Sequence, residues 1–307
     1  MLLIISNPQV FSSATIKGLS LFFYSVLPGL LPFMFLTKLL TEIGTVFKIS
    51  KRFSGVSRKL FGTPGVSLYC FFMSILSGYP IGAKIIYDLY NKNLINENEA
   101  KRMSIFCTTS GPIFVIGAVG VGMLHNFKLG AIIYASHILS SIICGIVYNL
   151  IFKNKKISES NTQSLSKSKP ENIFSYCLAE TVNSLFLVGG YITIFFLIAE
   201  IFDVLNIFNT IAKLLFPLLS KFGLSESSIK SILFGILEVT RGSKELSILS
   251  STNAPIICGL ISFSGISIIM QSLSFLKNAK IKAHNFIISK CVQCILSILI
   301  CKLIIAL

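Results

Sequence analysis

Ser77-Gly78-Tyr79-Pro80-Ile81-Gly82-Ala83-Lys84 breaks the apolar run Val66 to Leu76 with two glycines, a proline and a lysine. The run carries no charge and is too short to cross a bilayer as a helix, which takes about 20 residues. Irregular backbone survives at membrane depth only where protein or a water-filled cavity surrounds it, because hydrocarbon offers its N–H and C=O groups no partner. The octapeptide therefore predicts the tip of a re-entrant segment, with Lys84 as a candidate substrate contact.

Working outward, the composition agrees. Of 307 residues, 53% are hydrophobic and 13% charged, about half the charged share of roughly 25% usual in soluble domains. Apolar runs near 20 residues recur, and the longest polar stretch, Lys153 to Glu171, is under twenty residues. The chain reads as an all-α polytopic membrane protein without a large soluble domain. The net charge of +15 fits basic cytoplasmic loops. Nucleic acid is excluded as a partner because no polar domain interleaves basic and aromatic residues. Cys291-Val-Gln-Cys294 lacks a second pair or a nearby histidine, so the eight cysteines read as small membrane hydrophobes. His125, His137 and His284 are scattered, so neither metal nor cofactor is expected. No cleavable signal peptide is expected, since Met1 to Ile5 is short and has no basic segment before it.

Residues 15 to 45 predict a long helix broken at Leu27-Pro28-Gly29-Leu30-Leu31-Pro32. A basic loop with Lys48, Lys51, Arg52, Arg58 and Lys59 precedes the opening motif. Beyond it, Asn96 and Glu99 form a capping-box pattern. Cys107-Thr108-Thr109-Ser110-Gly111-Pro112 opens a span to Leu124, and another runs from Leu129 to Phe152. Residues 153–170 read as a basic, Ser-rich cytoplasmic linker. It separates a first repeat, 1–152, from a second, 171–307. In the second, a span over Leu185 to Ile201 is broken at Val188-Gly189-Gly190, and Ile207 to Leu219 is amphipathic. Ser231 to Leu237 leads into Glu238-Val239-Thr240-Arg241-Gly242-Ser243-Lys244-Glu245. Ser250-Ser251-Thr252-Asn253-Ala254-Pro255 opens a span to Leu276, and the last span is Phe286 to Leu307.

The halves share one order of elements. Gly242-x-Lys244 repeats Gly82-x-Lys84 at an offset of 160 residues, and Gly189 follows Gly29 by the same number. Basic loops at 48–59, 153–169 and 277–282 belong in the cytoplasm. With Val66 to Lys84 re-entrant, each half crosses an odd number of times. The expected architecture is thus two inverted-topology repeats, each with about three transmembrane helices plus a re-entrant or broken segment. That plan is common in secondary transporters, whose substrate sits near the midplane.

If the two tips meet there, they gather Lys84, Arg241, Lys244 and Glu238, and ionisable groups at that depth are rarely idle. The candidate substrate-binding set is Ser77, Gly78, Tyr79, Gly82 and Lys84 at the first tip, and Glu238, Thr240, Arg241, Gly242 and Lys244 at the second. Thr108, Thr109, Ser110, Ser251, Thr252 and Asn253 join it from the Pro-opened spans, where free helix N-termini favour anions. The excess of cations argues for a small anion, with Arg241 as a bidentate anchor. Glu238 is expected to pair with Arg241 in the empty state or to couple a proton. No catalytic residues are expected: His-Glu-x-x-His, Gly-x-Ser-x-Gly and paired Asp in spans are all missing.

Leu27-Pro28-Gly29-Leu30-Leu31-Pro32-Phe33, the Ser77–Lys84 string, Ser110-Gly111-Pro112, Gly120-Val121-Gly122-Met123 and Glu238-Val239-Thr240-Arg241-Gly242 resemble the YlbJ-type sporulation integral membrane proteins. These carry a nucleoside-recognition or Gate domain. The resemblance covers nearly the whole chain, although members usually hold more apolar sequence ahead of the first broken helix. It implies a role in endospore formation, in the mother-cell-derived outer forespore membrane, and movement of dipicolinate, a small dicarboxylate, into the spore. The partners expected are that anion and the lipid bilayer, with a homo-oligomer left open. The alternatives are a non-transporting sporulation scaffold or a nucleoside-type transporter.

Overall fold

The computed structural model describes residues 5–152 and 172–307, so the linker expected at 153–170 lies outside the described residues. No strand occurs among the described residues. Four helical stretches are long and apolar enough to cross a membrane, or up to seven if each bent pair counts as one span.

Helix α1 (Pro8–Leu21) passes through a π-helical turn, Phe22–Val26, into α2 (Leu27–Ile43). The widened turn sits just ahead of Pro28, which has no N–H to continue the ladder. The residues expected as a basic loop form α3 (Thr45–Phe61) instead, ended by Gly62 in the left-handed conformation. Lys51, Arg52, Arg58 and Lys59 point outward, whereas Ser50, Ser57 and Phe61 are buried. That inward stripe at helical spacing makes the segment an interfacial amphipathic helix. Its charges mask the periodicity when only composition is considered.

The first hairpin is α4 (Val66–Ser77) and α5 (Ile81–Asn91), with Gly78-Tyr79-Pro80 at the tip. Helix α4 leaves α3 at 86°. Helix α6 (Glu97–Phe106) starts with the expected capping box of Asn96 and Glu99. The chain then unwinds and resumes as a π-helix, Ile113–Met123, followed by α7 (Phe127–Ile151). Arg102 clamps this end of the bundle by donating to the carbonyls of Phe61 and Phe152 and to Asn149 Oδ1.

The second half opens with α8 (Ile173–Val204), which is continuous. The break expected at Val188-Gly189-Gly190 is absent, because Gly189 serves close packing: a Cβ there would come within 2.7 Å of the Phe22 ring. Helix α9 (Ile207–Leu219) turns through 110° into the second hairpin, α10 (Glu226–Leu237) and α11 (Val239–Leu249), hinged at Glu238. The outer arms α4 and α10 have 12 residues each, the returning arms α5 and α11 have 11. The span expected from Ser250 to Leu276 is one of the four candidate crossings, Ser251–Ala279, interrupted at Ser264 (φ 80°) between α12 (Ala254–Phe263) and α13 (Gly265–Leu276). Helix α14 (Ala283–Ala306) closes the chain.

The segment α1–α2 packs antiparallel along α8. Gly18 meets Thr193, Phe22 meets Gly189, and the Phe35 ring lies 4.9 Å from that of Phe174. Each hairpin docks on the other half: α5 on α13, and α11 on the π-helix as well as on α12.

Two adjacent glycines test this packing. Gly189→Ala pushes against Phe22 and is expected to cost about 1–3 kcal/mol. Gly190 faces open space, so Gly190→Ala is expected to leave stability unchanged or slightly raised. Thermal unfolding in detergent measures both.

Candidate functional site

A cavity of about 370 Å³ lies between the two hairpin tips. Ser77, Gly78 and Tyr79 form one wall and Glu238, Val239 and Thr240 another. Ser110 and Gly111 reach it from the unwound stretch, Gly29 and Leu30 from α2, Val188 and Ile192 from α8, and Ser267 and Gln271 from α13. A mostly apolar chamber with a few convergent polar groups is the usual form of a small-molecule site. The Ser77 hydroxyl is buried beside the cavity with no hydrogen-bond partner.

Backbone contact builds the first wall. Gly78 has φ 86°, and a Cβ there would strike the Gly111 backbone, while one on Gly111 would lie 3.0 Å from the Ser77 carbonyl. Only paired glycines let the tip touch the unwound stretch this closely. The Tyr79–Pro80 peptide is cis. At the second tip the Glu238 carboxylate accepts from the Thr240 and Arg241 N–H groups at 3.1 and 2.8 Å. It caps α11 and occupies the N-terminal position that favours an anion.

Behind Tyr79 lies a fully buried polar cluster. Lys290 of α14 is 0% exposed. Its Nζ donates to the Thr108 carbonyl (2.6 Å), Gln293 Oε1 (3.0 Å) and Tyr79 Oη (3.2 Å). His137 of α7 accepts from the Ser110 N–H at Nε2 (2.9 Å) and meets Ser262 Oγ at Nδ1 (2.8 Å). Acceptance at Nε2 puts the ring proton on Nδ1. Ser74 Oγ accepts from the Thr109 N–H and bonds the Thr109 hydroxyl, both at 3.0 Å.

The three expected cations lie elsewhere. Lys84 pairs with Asp88 (3.5 Å) and Glu180 (3.6 Å), and Asp88 also holds Lys38. Glu42 joins Lys38 and Lys92 to this network. Arg241 forks onto Glu200 (3.1 Å), Asp203 (2.7 Å) and Glu245 (3.0 Å), and Lys230 adds to Asp203. Its guanidinium stacks 3.7 Å over the Phe234 ring. Arg241 thus meets Glu238 through its backbone N–H, not its guanidinium. Lys244 is exposed, as are Ser251 and Thr252, while Asn253 donates to the Leu246 carbonyl. Gly82 and Gly242 pack inside their own halves, against Cys107 and Gly235. Thr108 and Thr109 sit in the buried cluster. Of the residues singled out in the sequence, Ser77, Gly78, Tyr79, Ser110, Glu238 and Thr240 share the cavity.

Lys290 and Gln293 are not among the candidates read from the sequence, where His137 is only one of three scattered histidines. The signal for Lys290 was present as an ammonium within the apolar run Phe286 to Leu307, where a charge is costly. His137 showed only an isolated histidine among serines.

The two ion-pair networks lie at opposite ends of α8. Glu180 and Glu200 are separated by 20 residues of one helix, about 30 Å at 1.5 Å per residue, which matches the hydrocarbon thickness of a bilayer. Val188 and Ile192, on the cavity wall, lie between them.

Among known proteins, the chain is similar to the sporulation integral membrane protein YlbJ of Bacillus subtilis (strain 168). Identity is 29% over 317 aligned residues, covering 94% of this chain and 76% of that protein. No family model and no solved structure matches the chain.

Arg241→Met strands Glu200 and Glu245 in partial burial and leaves Asp203 with Lys230 alone, and a loss of about 1–3 kcal/mol is expected. Arg241→Lys restores only part, because an ammonium cannot reproduce the fork. Lys244→Met is expected to be silent. Melting curves in one detergent rank the three.

Proposed function

The chain is a YlbJ-type integral membrane protein, and on that premise we propose that it carries a small organic anion, by resemblance dipicolinate, into the developing endospore. The observation that carries this reading is a cavity walled by two helix breaks, with a salt-bridge network toward each end of α8. A chamber with an ion-pair network on either side suits alternating access. The networks act as latches: opening one and keeping the other shut exposes the chamber to one side. Each is made of several partly buried pairs, so exchange of partners rather than outright loss of charge can open it.

The reading includes two repeats of inverted topology, 1–152 and 171–307, joined by a cytoplasmic linker. Matching arm lengths in the hairpins and their reciprocal docking support it. So does the antiparallel course of α1–α2 and α8, because it sends the first hairpin in from the Glu180 end and the second from the Glu200 end. The outer forespore membrane is the location proposed, and the protein acts as a carrier rather than an enzyme. The cavity walls supply a free hydroxyl at Ser77, the Tyr79 phenol and hydroxyls of Ser110 and Thr240. These suit carboxylate oxygens at one end of a flat, otherwise apolar ligand.

Purified protein in liposomes is expected to accumulate radiolabelled dipicolinate, and Ser77→Leu, which fills the cavity, to abolish uptake. Competition by uridine with no dicarboxylate uptake would favour a nucleoside carrier. Absence of any flux, with stable co-purification of another membrane protein, would favour a scaffold. In a background stripped of native cysteines, Cys at positions 54 and 164 is expected to be shielded from an impermeant thiol reagent outside the cell. Labelling of one alone overturns the topology.

A further inference from the structure

We propose that Lys290, acting through the Tyr79 phenol, is the charge that makes the cavity select an anion. This rests on the carrier reading above and assigns its specificity to a residue that lines neither hairpin. Lys290 belongs to no ion pair among the described residues. Its three N–H donors are matched one for one by a carbonyl, an amide oxygen and a phenol oxygen. Its hydrogen bonds are therefore complete while its charge has no counter-ion. Lys84 and Arg241 are in the opposite situation, each held by two or more carboxylates. Burying an ammonium without a counter-ion is costly, and an anion close by relieves that cost.

The cavity is where that anion fits. Tyr79 stands between the two, with its ring on the cavity wall and its oxygen on Nζ. Because Tyr79 Oη accepts from the ammonium, its own proton is left to donate. Donation is strengthened when the same oxygen is polarised by a cation. A substrate carboxylate at this wall takes the Tyr79 hydroxyl and the unpartnered Ser77 hydroxyl, with the ammonium directly behind. The far wall carries Glu238, already bonded to its own helix N-terminus. The Lys290 amine behind one wall and the Glu238 carboxylate on the other orient the ligand, with its carboxylate toward Tyr79.

The test is calorimetric binding to the full chain in nanodiscs, comparing pyridine-2,6-dicarboxylate with its neutral diamide. The wild type is expected to prefer the dianion by at least about tenfold, the scale of one hydrogen bond to a charged group. Lys290→Met is expected to erase the preference and keep diamide binding, while Lys290→Arg retains it. Tyr79→Phe keeps the ammonium and the ring, so it provides a readout even if Lys290→Met does not fold, and a severalfold drop in dianion affinity alone is expected. An unchanged dianion-to-diamide ratio in Lys290→Met, or in Tyr79→Phe, overturns the assignment and leaves the carrier reading intact. A wild type that binds neither ligand, or both equally, overturns the anion site itself.

Discussion

The stretch from Cys107 to Gly111 is a length of non-helical backbone buried in the middle of an apolar bundle. No lipid or bulk water can take its hydrogen bonds, so protein must. Ser74 takes the N–H of Thr109, His137 takes that of Ser110, and Lys290 supplies the carbonyl of Thr108. These partners come from α4, α7 and α14, so three helices are pinned to one unwound segment. The first hairpin tip leans on the same stretch through Gly78 and Gly111. The cavity wall is thus a by-product of satisfying an interrupted helix, and its position follows from where the interruption falls.

The second half solves two of its interruptions with its own side chains. Glu238 caps α11 from within, and Ser250 bonds the Thr252 N–H at the next break. The consequence is asymmetric. In one half the buried break recruits distant residues and becomes a hub. In the other, the breaks at Glu238 and Ser250 are satisfied locally and the charges at Arg241 and Glu245 face α8 and α10. Elements of matching length therefore end up with unlike polar chemistry on the two sides of the cavity.

Much of the architecture was legible because membrane constraints act on local sequence. The short uncharged run before Ser77-Gly78-Tyr79-Pro80 demanded a turn at depth, and the capping box at Asn96 is a local signal that the helix obeys. What remained hidden depends on long-range partners. Lys84 and Arg241 look like free cations in sequence, because Glu180, Glu200 and Asp203 come from a helix far along the chain. Gly189-Gly190 looks like a break because glycine serves both flexibility and close approach, and only the Phe22 ring decides which applies. Ser264 gave no warning, since a left-handed serine has no distinguishing neighbours in sequence. The residues behind Tyr79 sit singly in apolar runs, where each resembles an accident until folding assembles them.

The imidazole of His137 holds Ser110 with one nitrogen and Ser262 with the other. Those serines lie at breaks belonging to different halves, the first before the π-helix and the second beside the Ser264 kink. A rigid five-membered ring spans them with no slack, so it works as a rivet. Sliding the two broken helices past each other would strip a buried amide of its acceptor, so this contact holds them in register. The spacing between the two breaks is therefore set by the width of one aromatic ring.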